Sequence, residues 1–550
     1  MSVLAKVLTL AFWLVLAVTS AHADAVVTVC GKDVWPGDAR TDLAEALMAG
    51  GRVTFACSGI IELTRQHGLQ RDMDIDGGGK ITLDGKGRRM FGLGSSGARV
   101  SFTRIRIESG GIGASTLPGG VIVGEGFVSL LEGTTIAKSQ QPIWLMAGDL
   151  VLRDAWIRGS SGPALIVSEG VLDISDSRFS DNTGQLLATS RFSSVRIDNS
   201  QFRRSGASSF GGTDATGNCQ VAITRSWFVD NSSADHGGAF LSRCKLSVEE
   251  TTFERNRSSG QGGAIFAGPG VEANMRAVTF TGNVADGSGG AVAAAGELSR
   301  PVSFTIRNGR FKGNRAALAG GAIAVGEAAH AEIRGSTLID NIAGTAGGAI
   351  YARQSPLFLD GSLLRRNRAA SGGAVQTLCS PAASRIANSI IADNTADTGA
   401  AYVGGSIRFL NATVADNGDL PVRHGTPCGP AAIEFANTVL QGGKSGVCAG
   451  AAADRSFRDL GHNLQFPWST CGSTIPVRPP LLGWFYAPIR PASPAGESGD
   501  PGVCKGAPIN GRDIYGTHRP QGSSCSIGAV EGDLTEIVRR LIRRRRGELE

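Results

Sequence analysis

Apolar and polar residues alternate in short runs such as VAIT (221–224), FTIR (304–307) and AEIR (331–334). Alternation at period two predicts strands with one buried face. Between these runs a longer pattern recurs: FVDNSSADHGGAF, FERNRSSGQGGAIF, FTGNVADGSGGAVAA, FKGNRAALAGGAIAV, LIDNIAGTAGGAIYA and LRRNRAASGGAVQ. Each copy has an apolar residue, two variable positions, Asn, a polar stretch and Gly-Gly-Ala. The asparagines are Asn231, Asn256, Asn283, Asn314, Asn341 and Asn367, spaced by 25 to 31 residues. Weaker copies place Asn182 before them and Asn394 and Asn417 after. A period in this range marks a solenoid or an array.

Paired glycines exclude a helical repeat, since two in one helix cost about 2 kcal/mol relative to Ala. The leucine-rich pattern is absent. Some 25 residues accommodate three short strands and three turns, one coil of a parallel β-helix. The predicted fold is therefore all-β: a parallel β-helix with a short N-terminal capping helix and a disulfide-containing C-terminal cap. Phe228, Phe253, Phe280 and Phe311 should point inward and stack at the strand spacing of about 4.8 Å. Asn suits a left-handed turn, and its amide can bond the turn or the next Asn in a ladder. The pairs Gly237-Gly238, Gly262-Gly263, Gly320-Gly321 and Gly347-Gly348 permit sharp corners. Ile265, Val292, Ile323, Ile350 and Val375 should start the next inward set. The asparagine row is read as structural rather than as a ligand stripe.

The chain divides accordingly. Residues 1–23 pair one lysine with a short apolar run and end Ala21-His22-Ala23, the pattern of a secretory signal peptide. Residues 24–51 hold an amphipathic helix with Leu43, Ala46 and Leu47 on one face and Gly50-Gly51 as its stop. Residues 52–420 carry the repeats, and 421–532 form a Cys- and Pro-rich region closing the solenoid. Residues 533–550 combine an apolar stripe with six arginines between 539 and 546. That tail is read as solvated or docked on the last coil, with contact to an anionic membrane surface as the functional alternative.

DMDIDGGGKITLDG (72–85) has the opening of a calcium loop, with Asp72, Asp74, Asp76 and Gly77 in place. The twelfth position, which must be a bidentate Glu, is Leu83. At period two, Met73, Ile75, Ile81 and Leu83 face inward and the aspartates outward, so this is an early coil and no metal is expected.

Composition sharpens the picture. Glycine supplies 78 of 550 residues and aromatics only 6%, which fits many tight turns. The formal charge of +6 and the export signal give no basis for nucleic-acid binding. Ten cysteines follow the signal and none lies in CxxC, so zinc is not expected. They fall as sequence neighbours: Cys30 and Cys57, Cys219 and Cys244, Cys379 and Cys428, Cys448 and Cys471, Cys504 and Cys525. An even count in an exported chain reads as disulfides, with neighbour pairing the expectation.

The F-x-x-N and G-G-A-I motifs resemble those of the polymorphic outer-membrane adhesins. Those proteins end in a membrane β-barrel, and residues after 420 show no series of barrel strands. DIYGTHRP (513–520) and CSIGAVE (525–531), with Ser493-Pro494-Ala495, resemble the closing part of secreted β-helix proteins of the choice-of-anchor Q type. Tyr515 stands where that family has Arg, and Ser526 where it has Asp. TFACSGIIEL and IDGGGKITLDG are similar to its opening coils. The resemblance implies a right-handed, pectate-lyase-like parallel β-helix and export rather than an activity.

Parallel β-helices host many polysaccharide lyases, hydrolases and epimerases. The Arg-x-Pro-x-x-Arg run of pectate lyases, the Asn-Thr-Asp, Asp-Asp and Gly-His-Gly set of polygalacturonases and the Asp-Pro-His-Glu of epimerases are missing. His67, His236, His330, His424, His462 and His518 are dispersed. Asp235-His236 beside a glycine corner is a weak catalytic pair. Arg365-Arg366 and Asp340 are outward candidates for an acidic glycan, outweighed by the reading of a solvated strand face. No catalytic residue and no cofactor is assigned. The favoured function is a monomeric secreted or cell-surface protein, noncatalytic, acting in adhesion or in binding extracellular polysaccharide or a cell surface. The alternative is a polysaccharide lyase or hydrolase of an unrecognised family.

Overall fold

The computed structural model describes residues 24–33, 42–94, 97–112, 119–189, 194–210, 219–379, 384–425, 432–450, 456–489 and 492–532. Residues 1–23, read above as a signal peptide, the basic tail 533–550 and Cys428 lie outside them.

Every ladder between successive coils is parallel, and each strand pairs with its equivalent one coil on. One coil shows the plan. Lys245–Glu249 belongs to a first sheet, Thr252–Glu254 to a second, Arg257–Ser258 to a short fourth and Ile265–Ala267 to a third. Among the described residues the first sheet has 18 strands, the third 16 and the fourth 7. The second is an open ladder from Gly59–Glu62 to Leu464–Phe466. The chain is a parallel β-helix.

Alternation fills the interior. Within Lys245–Glu249, Leu246 and Val248 are buried while Lys245 and Ser247 are exposed. Stacking places like residues over like: Phe179, Phe202, Phe228, Phe253, Phe280 and Phe311 form one column with ring centroids 4.6–5.1 Å apart. Leu338, Leu364, Ile391, Val414 and Leu440 continue it by register. It ends on the buried Gln465.

Gln465 is where the solenoid closes. Its Nε2 donates to the Gly472 and Ile475 carbonyls, and its Oε1 accepts from the Cys471 amide. Cys471 and Ile475 bury against the last core residues. At the other end, Leu43, Ala44, Ala46 and Leu47 of the helix Leu43–Ala49 cover the first coil. Both ends of the stack are thus capped.

Three expectations need correction. The ladder asparagines do not hold the left-handed angles. The preceding residue does: Asp230 (φ 56°), Arg255 (51°), Gly282 (63°), Gly313 (65°), Asp340 (59°) and Arg366 (52°). Each Asn side chain instead turns inward, where its amide is enclosed. Coils also do not stop at residue 420. Val422–His424, Ile433–Ala436, Val439–Gln441 and Phe457–Asp459 remain in register, because alternation persists after Gly-Gly-Ala is lost. Asp76, finally, does not face open water. It is buried at the corner, where it accepts from the Gly78 amide and pairs with Arg104. The Arg104 guanidinium holds its carboxyl below the usual range.

Candidate functional site

Asn231, Asn256, Asn283, Asn314, Asn341 and Asn367 are all buried. Each Nδ2 donates to the next Oδ1 and to a phenylalanine or leucine carbonyl one coil back; for Asn256 both distances, to Asn283 and Phe228, are about 3 Å (3.0 and 2.9 Å). From Asn256 to Asn367 each Oδ1 also accepts the backbone amide of the previous Asn, as Asn283 does from Asn256 at 2.9 Å, while the Asn231 Oδ1 accepts the Ser205 amide. A buried amide with all its groups paired has nothing left for a ligand.

A second ladder runs at the preceding corner. Ser177, Ser200, Ser226 and Thr251 are buried, and each hydroxyl accepts the amide one coil before it. Ser362 and Ser389 do the same for Ser336 and Ser362. The sequence carries its signal, a Ser or Thr two residues before the inward apolar position (DSRF, NSQF, RSWF, ETTF), outside the F-x-x-N and Gly-Gly-Ala motifs.

The glycine pairs have two different tasks. The first of each adopts positive φ, as at Gly237 (65°), Gly262 (70°), Gly320 (67°) and Gly347 (61°). A Cβ on the second would lie 2.2 Å or less from a backbone oxygen of the next coil at Gly238, Gly263, Gly321 and Gly348. Disulfides join Cys30 to Cys57, Cys219 to Cys244, Cys448 to Cys471 and Cys504 to Cys525. Cys379 is also disulfide-bonded. Such bridges fit an oxidising compartment.

The remaining candidates fall apart or come together as follows. His236 stacks on Phe266, and its Nδ1 accepts the Gln261 amide, so it acts as a corner brace. Arg366 pairs with Asp340 at 2.8 Å. That pair belongs to a row at the left-handed position before the ladder asparagines, where signs alternate: Asp181 with Arg204, Asp230 with Arg255, Asp340 with Arg366. The alternation then fails. The next two residues of the row are Asp393 and Asp416, one coil apart, about 4.8 Å by strand spacing.

A distant segment roofs this break. Trp484–Tyr486 forms a single 3-10 turn clipped by an antiparallel bridge from Leu482 to Pro488. Phe485 (φ 60°) and Tyr486 (φ 59°) are both left-handed, a strained state for aromatic residues. Behind them Ala487, Ala529 and Val530 bury against Ile390 and Ala392. The cleft between roof and coils encloses about 420 Å³ and is lined by Leu363, Arg365, Asp416, Trp484, Tyr486 and Tyr515, among others. Trp484 is 77% exposed at its rim.

Charge in the cleft is unevenly matched. Arg365 Nε lies 2.5 Å from Asp393 Oδ2, and the Tyr486 hydroxyl donates to the same oxygen at 3.4 Å. Asp416 accepts one hydrogen bond, from Gln441 Nε2 at 3.2 Å, and has no ion-pair partner among the described residues. Enclosure by the roof, then the charge of Asp393, hold its carboxyl above the usual range, against a smaller pull from Arg365. Burial pushes the Tyr486 phenol up to about 12, so it stays a donor. Among the described residues, no three His, Cys, Asp or Glu side chains converge as a metal site.

Comparison with known proteins supports the fold alone. A family model described as a right handed beta helix region matches residues 164–338. No curated protein matches the chain. Tailspike protein 3 of bacteriophage CBA120 is similar at 11% identity and a TM-score of 0.30, over 80% of this chain and 60% of the tailspike. The catalytic domain of a GH87 α-1,3-glucanase in complex with tetrasaccharides is similar at 12% identity and a TM-score of 0.28, over 79% of this chain and 69% of that domain. The chain thus spans less than two thirds of the tailspike.

Proposed function

We propose that this protein is an exported β-helix that binds polysaccharide at the cell exterior without cleaving it. The observation that carries the reading is the roofed cleft. An exposed indole at the rim of a concave site offers an apolar platform to a sugar ring, and the carboxylates and Arg365 beneath it offer hydrogen bonds to hydroxyls. The partner in this reading is an extracellular polysaccharide or a glycan-coated cell surface, met by a monomer, with nucleic acid excluded. Secretion rests on residues 1–23, and its resemblance to choice-of-anchor Q proteins and adhesins belongs to the same proposal. The family resemblance and the disulfides support an extracellular setting.

Affinity electrophoresis of the mature protein through gels containing neutral, acidic and amino polysaccharides tests this. Retardation by at least one glycan is expected. Trp484→Ala should weaken it about tenfold, the loss of one aromatic contact of roughly 1.4 kcal/mol. Unchanged retardation in that variant would remove the cleft from the proposal. A second reading, hydrolysis, is favoured by one observation: two carboxylates one coil apart, with the Asp416 carboxyl held above the usual range by burial and by the charge of Asp393. Release of reducing ends from any polysaccharide in the panel would replace binding with hydrolysis.

A further inference from the structure

The polar groups of the cleft are not balanced, and the imbalance narrows the ligand. Arg365 is the cation of the cleft, and it is already committed to Asp393. Among the described residues Asp416 accepts a hydrogen bond from the neutral amide of Gln441 alone. The cleft therefore carries one uncompensated carboxylate, exposed on its floor beside a set of aromatic faces. An acidic sugar would place its carboxylate or sulfate against Asp416 and would have to pull Arg365 away from Asp393. A neutral sugar would stack on Trp484 and leave Asp416 without a counter-charge. A cation satisfies both halves of the site, since an ammonium pairs with a carboxylate and is attracted to the face of an aromatic ring.

We infer that the cleft selects a glycan bearing free amino groups, with Asp416 as the ammonium partner and Trp484 as the stacking platform. This rests on the glycan-binding reading above and names the substrate class within it. It also disfavours the acidic-glycan alternative for Arg365-Arg366, since both arginines face carboxylates of their own, Asp393 and Asp340. Asp416 is faced by Asp393, Arg365, Tyr486 and Gln441. As pH falls through its raised carboxyl range, Asp416 takes up a proton while the sugar ammonium keeps its charge. Binding should weaken at a pH above that at which an ordinary aspartate would lose it.

Isothermal titration of the mature protein with glucosamine oligomers, N-acetylglucosamine oligomers of equal length and polygalacturonate oligomers tests the inference. Binding of the amino oligomer at least about tenfold tighter than the acetylated one is expected. Asp416→Asn keeps the shape of the side chain and its contact to Gln441. It should remove that preference, weakening binding of the amino oligomer far more than binding of the acetylated one. Circular dichroism would show that the exposed substitution leaves the fold intact. Equal affinity for both oligomers, or an equal loss in Asp416→Asn, would overturn the amino-sugar assignment and leave glycan binding standing. Preference for phosphocholine vesicles over every oligosaccharide would overturn it too, because the ammonium would then come from a lipid headgroup. Binding to no polysaccharide at all would sink the broader reading.

Discussion

Asn314→Ala should destabilise the solenoid by about 4 kcal/mol, with urea unfolding followed by far-ultraviolet circular dichroism as the measure. The side chain sits in the middle of the ladder and is fully buried. Truncation strips the Asn283 backbone amide and Nδ2 of their acceptor, and the Phe280 carbonyl of a donor. The Asn341 Oδ1 loses one of its donors as well. Each buried group left unpaired costs about 1–3 kcal/mol, and no water can enter a packed corner to replace the amide. The chain contains its own comparison. Ser205 occupies a rung of the same ladder, where its hydroxyl accepts from Asn182 at 3.3 and 3.4 Å and its amide donates to Asn231. Asn314→Ser should therefore fall between, at roughly half the loss, because one hydroxyl restores the acceptor but not the long-reaching donor. Equal loss for Ala and Ser would mean that packing volume, not hydrogen bonding, is what the ladder supplies.

The contrast between ladder and cleft shows what a single sequence discloses. A solenoid repeats each chemical problem once per coil, so its solution recurs along the chain. Phe253, Phe280 and Phe311 recur because one column must be filled, and Gly263 and Gly321 recur because one corner leaves no room for a Cβ. Period and alternation were enough to identify a parallel β-helix. The residue that takes the left-handed turn was harder to read. Asp, Arg and Gly all serve there, since the position is exposed and the ladder amide beside it supplies the stabilisation. The cleft was illegible for a different reason. Tyr486 meets Asp393 across 93 residues, and Trp484–Tyr486 occurs once. Periodicity has nothing to say about a contact that is neither local nor repeated. The one trace in the sequence is a change of sign, Asp393 and Asp416 in succession where the row had alternated.

The roof should detach when its buried ion pair is broken. Asp513, Arg519 and Glu531, from the DIYGTHRP and CSIGAVE stretches, are all buried. Arg519 Nη1 lies 3.4 Å from Glu531 Oε2, and its guanidinium also donates to the Ser526 and Gly528 carbonyls and to Asn388 Oδ1 on the solenoid. Glu531 accepts from the Ser526 and Gln521 amides, and its own amide donates to Asp513. Burial works against the Arg519 charge; Glu531 and Asp513 offset it. Replacing one partner leaves the other charge enclosed in a low dielectric, so Glu531→Ala should cost about 3–5 kcal/mol. The loss should be local. The segment that carries these residues holds the flank of the coils through Asn388, Asn411, Thr413 and Asn437, while the column beneath it closes independently on Gln465. Hydrogen exchange should therefore accelerate across 483–489 and 513–531 with the coils before residue 380 unaffected. Glycan retardation should fall together with it, since Trp484 and Tyr486 are positioned by the same segment. Uniform acceleration along the whole chain would instead make the segment an integral part of one cooperative unit. Unchanged exchange would mean that the Ala487, Ala529 and Val530 contacts with Ile390 and Ala392 are enough to hold the roof without the ion pair.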